Sequence, residues 1–331
     1  MLTASSILRL PYSSALTLAG IEYAKKSLHY TYNRMGLRPA GRLRKIVAGV
    51  AVELAFQHWL QAQGVPYDRL GATAFTEKDK YDLSLGGRRC DLKSFLISDK
   101  AKITALRQNP SWLLEASALV PEDQFLSSTL AENDLYLFGF LAGLETRQQA
   151  DLEKVYAARQ PFYLLALADQ PHWRGQDTWR SLGRIICKSN HPTPIEVELG
   201  GQDAKRAAIS ERVLLAPRAR VVSRQEFFSL LYAHVAIPPT HTIGVRSAVL
   251  TETLLFEPPH WLNIWVYGLE IFIAGWLTKA EFRAKSQKLA RGTPVKQYPR
   301  TQTINRAVLV RELRPIDELA ELVKNSGWGR L

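Results

Sequence analysis

Cysteine is nearly missing: Cys90 and Cys187 are the only two in 331 residues. That excludes a disulfide framework and a four-thiolate zinc site, and it fits a reducing compartment, so a cytoplasmic location is expected. Long apolar runs are missing too. No window holds 18 consecutive apolar residues, and the most apolar stretch, 261–277, is broken by Asn263, Glu270 and two glycines, which argues against a membrane span. The N-terminus lacks a basic stretch ahead of an apolar one, so a secretory leader is not expected. The 7 histidines form no H-E-x-x-H pair, and neither G-x-x-x-x-G-K-[ST] nor G-x-S-x-G occurs. Zinc hydrolysis, P-loop chemistry and serine hydrolysis therefore have no motif to rest on. Gly (20) and Pro (17) are too few for a collagenous or low-complexity chain, while 46% hydrophobic residues supply a sizeable core.

Positive charge, by contrast, is plentiful and uneven. Of the net +12, residues 1–50 carry 8 basic and 1 acidic residue and residues 279–314 carry 10 and 2, so the rest of the chain is slightly acidic. Clustered cations favour a polyanion, because each neutralised phosphate releases counterions; a solvated basic surface is the alternative. The C-terminal stretch names its own candidates for nucleic-acid contact: Lys279, Arg283, Lys285, Lys288, Arg291, Lys296 and Arg300, with Phe282 and Tyr298 interleaved for stacking. Its alternative is an exposed helix and loop packed on a sheet.

The length is a prior for two domains, or for one with an insertion. Residues 14–34 and 43–63 read as helices, the second with Leu43, Ile46, Val47, Val50, Leu54 and Leu60 near helical spacing. From Tyr81 the pattern alternates through YDLSL, Gly86-Gly87 and RRCDLKSFLI, a hairpin signal. Another strand is expected from Asp134, and a long one from Asn263 followed by a polar helix through TKAEFRAKSQKLARG. Between them, short β-like runs are punctuated by Pro, Gly and Asn. The expected organisation is N-terminal helices and a core over 1–145, a β-rich insertion or second domain over 146–260, and return strands with a basic segment over 261–331. Trp261, Trp265 and Trp276 read as core, Gly200-Gly201 as a turn, and Glu196 with Glu198 as a solvated strand face.

The hairpin carries the chemistry. With Gly86 and Gly87 as its loop, Leu85 faces Arg88, and counting outward sets Asp82 opposite Asp91. Lys93, two residues on, projects on the Asp91 face, while Leu83, Leu85, Cys90 and Leu92 form an apolar reverse. Two opposed carboxylates repel unless positive charge lies between them. Lys93 supplies part, and a hard divalent cation suits the remainder, with the Leu92 carbonyl as a further ligand. A charged, exposed hairpin is the alternative.

Asp82, then Asp91-Leu92-Lys93 on the next strand, behind a helix bearing Glu53, resembles the PD-(D/E)XK nuclease superfamily. The resemblance covers residues 43–97, and 120–145 more weakly; Tyr81 stands where the motif name has proline. It implies an α/β fold with a restriction-endonuclease-like core, a mixed sheet flanked by helices, carrying an additional β-rich domain or insertion. It further implies Mg²⁺, with Mn²⁺ as substitute, held by Asp82, Asp91, Leu92 and Glu53, and Lys93 orienting or deprotonating the attacking water. Gln124 matches an auxiliary glutamine of some members. The implied activity is endonucleolytic cleavage of DNA leaving 5′-phosphates, in restriction, phage defence or mobile-element processing. RNA is the alternative substrate, non-cleaving binding the alternative role, and a homodimer or partner protein compatible with either.

Overall fold

The computed structural model describes residues 2–28, 37–71, 81–146, 148–157, 159 and 162–325. The chain is mixed α/β and divides into two compact units. One comprises Met1–Leu37, Arg44–Glu145 and Val266–Leu331; the other comprises Arg38–Leu43 and Thr146–Trp265. In chain order the elements are β1 (Leu8–Pro11), α1 (Ser14–Ser27), α2 (Pro39–Ala62), β2 (Tyr67–Asp68), β3 (Leu83–Leu85), β4 (Arg88–Ile97), α3 (Lys100–Gln108), β5 (Ser117–Pro121), α4 (Glu122–Ser127) and β6 (Leu135–Glu145). Then come α5 (Gln149–Ala157), β7 (Leu164–Leu167), β8 (Gly183–Ser189), β9 (Ile195–Gln202), β10 (Ala208–Leu215), β11 (Arg220–Phe227), β12 (Ser229–Val235), β13 (Ile243–Ser247), β14 (Thr253–Phe256) and β15 (Leu262–Asn263). The chain closes with β16 (Val266–Thr278), α6 (Lys279–Lys285), β17 (Gln287–Leu289), β18 (Asn305–Leu309) and α7 (Ile316–Asn325).

The first unit is organised by a six-stranded sheet in the order β1-β16-β6-β4-β3-β2. Its β4 and β6 run parallel, while the other pairs are antiparallel. β6 lies inside the sheet and is covered on both faces, which is why it reads as an unbroken apolar run and not as an alternation. One face turns Tyr136, Phe138 and Phe140 into a core shared with Phe125, Phe282 and the three-stranded sheet β17-β18-β5. The other face receives α2. Gly139 is required there: a Cβ at that position would lie 2.6 Å from Val52 Cγ1.

α2 buries half of the stripe its large residues announce, namely Leu43, Val47 and Leu60. Val47, Ala48, Ala51, Val52, Ala55, Phe56 and Leu60 are buried, while Ile46, Val50 and Leu54 are half-buried at its flanks. Alanines allow the helix to sit close on the sheet, so the small residues take the contact line. α1 ends at Ser27; the remainder of the helix expected to residue 34 lies largely outside the described residues. The polar helix expected through TKAEFRAKSQKLARG stops at Lys285, where Ser286 turns extended and the chain enters β17.

The strands of the second unit all pair antiparallel. Its sheets, β10-β9-β12-β7-β15 and β11-β8-β13-β14, contribute Val197, Leu199, Ile185, Val245 and Phe256 to one core. Gly200 and Gly201 lie within β9 and form no turn. A Cβ on Gly200 would strike the Tyr232 ring at 2.1 Å, so close side-chain approach selects glycine there. Glu198 is not solvated either: it is buried, accepts from the Tyr232 hydroxyl at 3.0 Å and lies 3.6 Å from Arg212. Trp261, Trp265 and Trp276 are buried. No helix among the described residues is long and apolar enough to cross a membrane.

Candidate active site

The hairpin turns where the two glycines stand. Gly86 and Gly87 have φ of 57° and 75°, the left-handed pair that a two-residue loop of this type needs, and Leu85 faces Arg88, Ser84 faces Arg89, and Leu83 faces Cys90. Leu83, Leu85 and Cys90 are fully buried on the reverse face. Burial raises the Cys90 thiol well above its ordinary value, which makes it an inert core group.

At Asp82 the regular register ends. Its N–H bonds the Cys90 carbonyl at 3.0 Å, a slip relative to the direct opposition with Asp91 expected from counting. Its carboxylate instead accepts the Leu92 N–H at 2.6 Å. Residues 90 and 92 of β4 turn their backbone groups toward β3, so Asp82 caps the strand edge that β3 leaves after Leu83, and the Leu92 carbonyl points along the same edge.

Asp91 and Lys93 share the face of β4 opposite to that of Cys90, in parallel register with Tyr136 and Phe138. The Lys93 ammonium lies 2.7 Å from Asp91 Oδ2 and donates to Gln124 Oε1 at 3.1 Å. Gln124, on α4, thus joins the motif lysine. Glu53, on α2, accepts from Gln57 at 2.8 Å, and its charge is felt at Asp82. Burial, then the charge of Asp91, then that of Glu53 push the Asp82 carboxyl up to about 8, against the opposing pull of Lys93 and the Leu92 N–H. Asp91, Glu53 and Lys93 are thus all felt at Asp82, the two carboxylates raising its carboxyl and the ammonium lowering it.

A neighbouring acid, Asp134, was not singled out from the sequence. Buried at the entry to β6, it accepts the Arg89 backbone N–H at 2.9 Å, Arg89 Nε at 2.7 Å and the Ala131 N–H at 2.6 Å. It thereby ties the hairpin to the strand beside it. The only signal was an Asp immediately before an apolar run. Tyr136, beside Asp91, has its phenol pushed up to about 12 by burial, with the Asp91 charge adding to the rise.

The donors fit a hard divalent cation. They are carboxylate and carbonyl oxygens, their charges repel one another, and Mg²⁺ characteristically takes one or two carboxylates and retains water. Among the described residues no three His, Cys, Asp or Glu side chains stand together at metal-holding spacing.

The C-terminal cations are less available than their number implies. Lys279 is buried, with its ammonium on the Ser128 and Leu130 carbonyls at 3.2 and 2.7 Å, so it does not face a phosphate. Arg283 pairs with Glu132, Lys288 with Glu122 and Lys296 with Glu115, while Lys285 donates to the Glu312 carbonyl. Arg291 and Arg300 are exposed and make no side-chain hydrogen bond or ion pair among the described residues. Phe282 is fully buried and is not presented for stacking, whereas Tyr298 is half-buried against the core, with burial raising its phenol.

No protein-family model, no curated protein and no solved structure matches the chain.

Proposed function

We propose that the first unit is a divalent-metal-dependent endonuclease of the PD-(D/E)XK kind, with DNA as its substrate. The observation that carries this reading is the Lys93–Asp91 contact at 2.7 Å beside an Asp82 carboxylate bonded to the intervening Leu92 backbone. Asp82, Asp91 and the Leu92 carbonyl would hold Mg²⁺ or Mn²⁺, and Glu53 a second ion or a water. When bound, the ion supplies Lewis acidity to the phosphate and lowers the pKa of a coordinated water. Lys93 orients the attacking water and carries positive charge toward the phosphate. Gln124 fixes the ammonium, and Asp134 fixes the strand that bears it. The apolar reverse of the hairpin anchors this arrangement in the core, so the acids and the amine are held before substrate arrives.

Supercoiled plasmid and structured RNA, each incubated with Mg²⁺ or Mn²⁺, test the reading with wild type beside Asp91→Ala and Lys93→Ala. Plasmid cleavage leaving 5′-phosphates, lost in both variants, is expected. Intact plasmid with wild type under every metal condition sinks the DNA-cleaving reading, and cleavage of RNA alone reassigns the substrate.

A further inference from the structure

The four-stranded sheet of the second unit has an outer face that its core does not use. Along β8, β11 and β13, inward residues such as Ile185, Cys187 and Val245 enter the core, and the alternate positions face out. Those positions bring together Arg184 and Lys188 on β8, Arg220 on β11 and Arg246 on β13. The register sets Arg220 directly opposite Lys188, and Arg246 opposite Ile186 on the next row of the same face. All four cations are exposed, and their side chains make no hydrogen bond or ion pair among the described residues. Glu226, opposite Arg184, accepts instead from the Ser181 hydroxyl.

Directly opposed like charges destabilise an antiparallel pair, so a merely solvated face would ordinarily alternate its signs. The contrast within the molecule sharpens the point. Arg283, Lys288 and Lys296 each have a carboxylate partner, whereas these four cations have none among the described residues. Half-exposed Val222 and Leu255 occupy the same face, where a soluble surface would more often place acids.

We propose that this open face binds the phosphate backbone of duplex DNA. The proposal rests on the nucleic-acid reading above for the identity of the polyanion, and it assigns the contact to the β-rich unit. Unpaired arginines and a lysine on a rigid sheet can neutralise successive phosphates with no ion pair to break first, and such contacts carry no sequence preference.

The test uses the full chain in EDTA, where binding is read without cleavage. A fluorescein-labelled duplex is titrated by anisotropy at several KCl concentrations, with wild type beside the combined variant Arg184→Ala, Lys188→Ala, Arg220→Ala and Arg246→Ala. The variant is expected to bind about tenfold more weakly or worse, with the slope of log K against log salt reduced by about 3 to 4. A second variant, Arg184→Lys, Arg220→Lys and Arg246→Lys, keeps the charge and should keep the wild-type slope. Equal affinity and slope in wild type and the alanine variant overturn the proposal, as does loss of binding to phosphatidylserine vesicles with DNA binding intact. Asp91→Ala should retain the wild-type slope, so failure of the cleavage reading and failure of this surface are read separately.

Discussion

The Asp82 carboxylate accepts the backbone N–H of Leu92 at 2.6 Å, so one acid of the site is bonded to the strand that bears the other. Its pKa of about 8 stands far above that of an unfolded aspartate, roughly 3.9. The native state therefore binds more protons than the unfolded chain between those values. Stability contributed by this group is present at low pH and is lost as pH rises toward 8. In EDTA, Asp82→Asn, which keeps an acceptor for Leu92, should melt about 3–6 °C above wild type at pH 9, a gain of about 1–2 kcal/mol. The gap should close at pH 5, and calorimetry at the two pH values reads it. An equal difference at both would show that Asp82 is not held neutral by its surroundings.

On the proposed nuclease reading, Gln124 acts through Lys93, to which it is hydrogen-bonded. Removing its oxygen leaves the ammonium with Asp91 as its remaining partner, so its position becomes less defined. Gln124→Ala should lower kcat for plasmid nicking by about 10- to 100-fold with KM and Tm nearly unchanged. Gln124→Glu, which retains an acceptor, should recover part of the loss. A parallel fall in Tm would mark Gln124 as structural only.

Gly139 and Val52 should be coupled. Gly139→Ala forces a Cβ against Val52 Cγ1 and should cost about 1–3 kcal/mol. Combined with Val52→Ala, which opens the space, the loss should fall short of the sum of the single changes by about 1 kcal/mol in urea titrations. Strict additivity would mean that the helix and strand are not in contact there.

Lys279 tests burial against mere charge count. Lys279→Met leaves the Ser128 and Leu130 carbonyls without their donor and should cost about 1–3 kcal/mol. Duplex affinity in EDTA should stay within about twofold of wild type, because that ammonium reaches no solvent-borne phosphate. A reduced salt slope would contradict its placement.

The parts legible in the sequence are those where a local rule and the tertiary structure agree. Gly86-Gly87 announces a tight hairpin because two consecutive left-handed residues admit little else, and the register follows from it. β6 is legible because a strand covered on both faces must be apolar throughout. The slip at Asp82 was hidden, since a side chain bonding the Leu92 N–H leaves no periodic trace. β17 was hidden because three residues cannot show a period, and its pairing with β18 is decided at a distance. Counting charges overstated the C-terminal segment: the acids that neutralise Arg283, Lys288 and Lys296 come from residues 115–132, far away in the chain.

Glu145 and Val266 face each other on one rung of the β6–β16 ladder, and the whole run from Thr146 to Trp265 departs from and returns to that rung. To the acid-bearing sheet, the run from Thr146 to Trp265 is the loop of a hairpin grown to the size of a domain. The strand carrying Asp91 and Lys93 has both of its neighbours, β3 and β6, outside that run, so its pairing owes nothing to any residue within it.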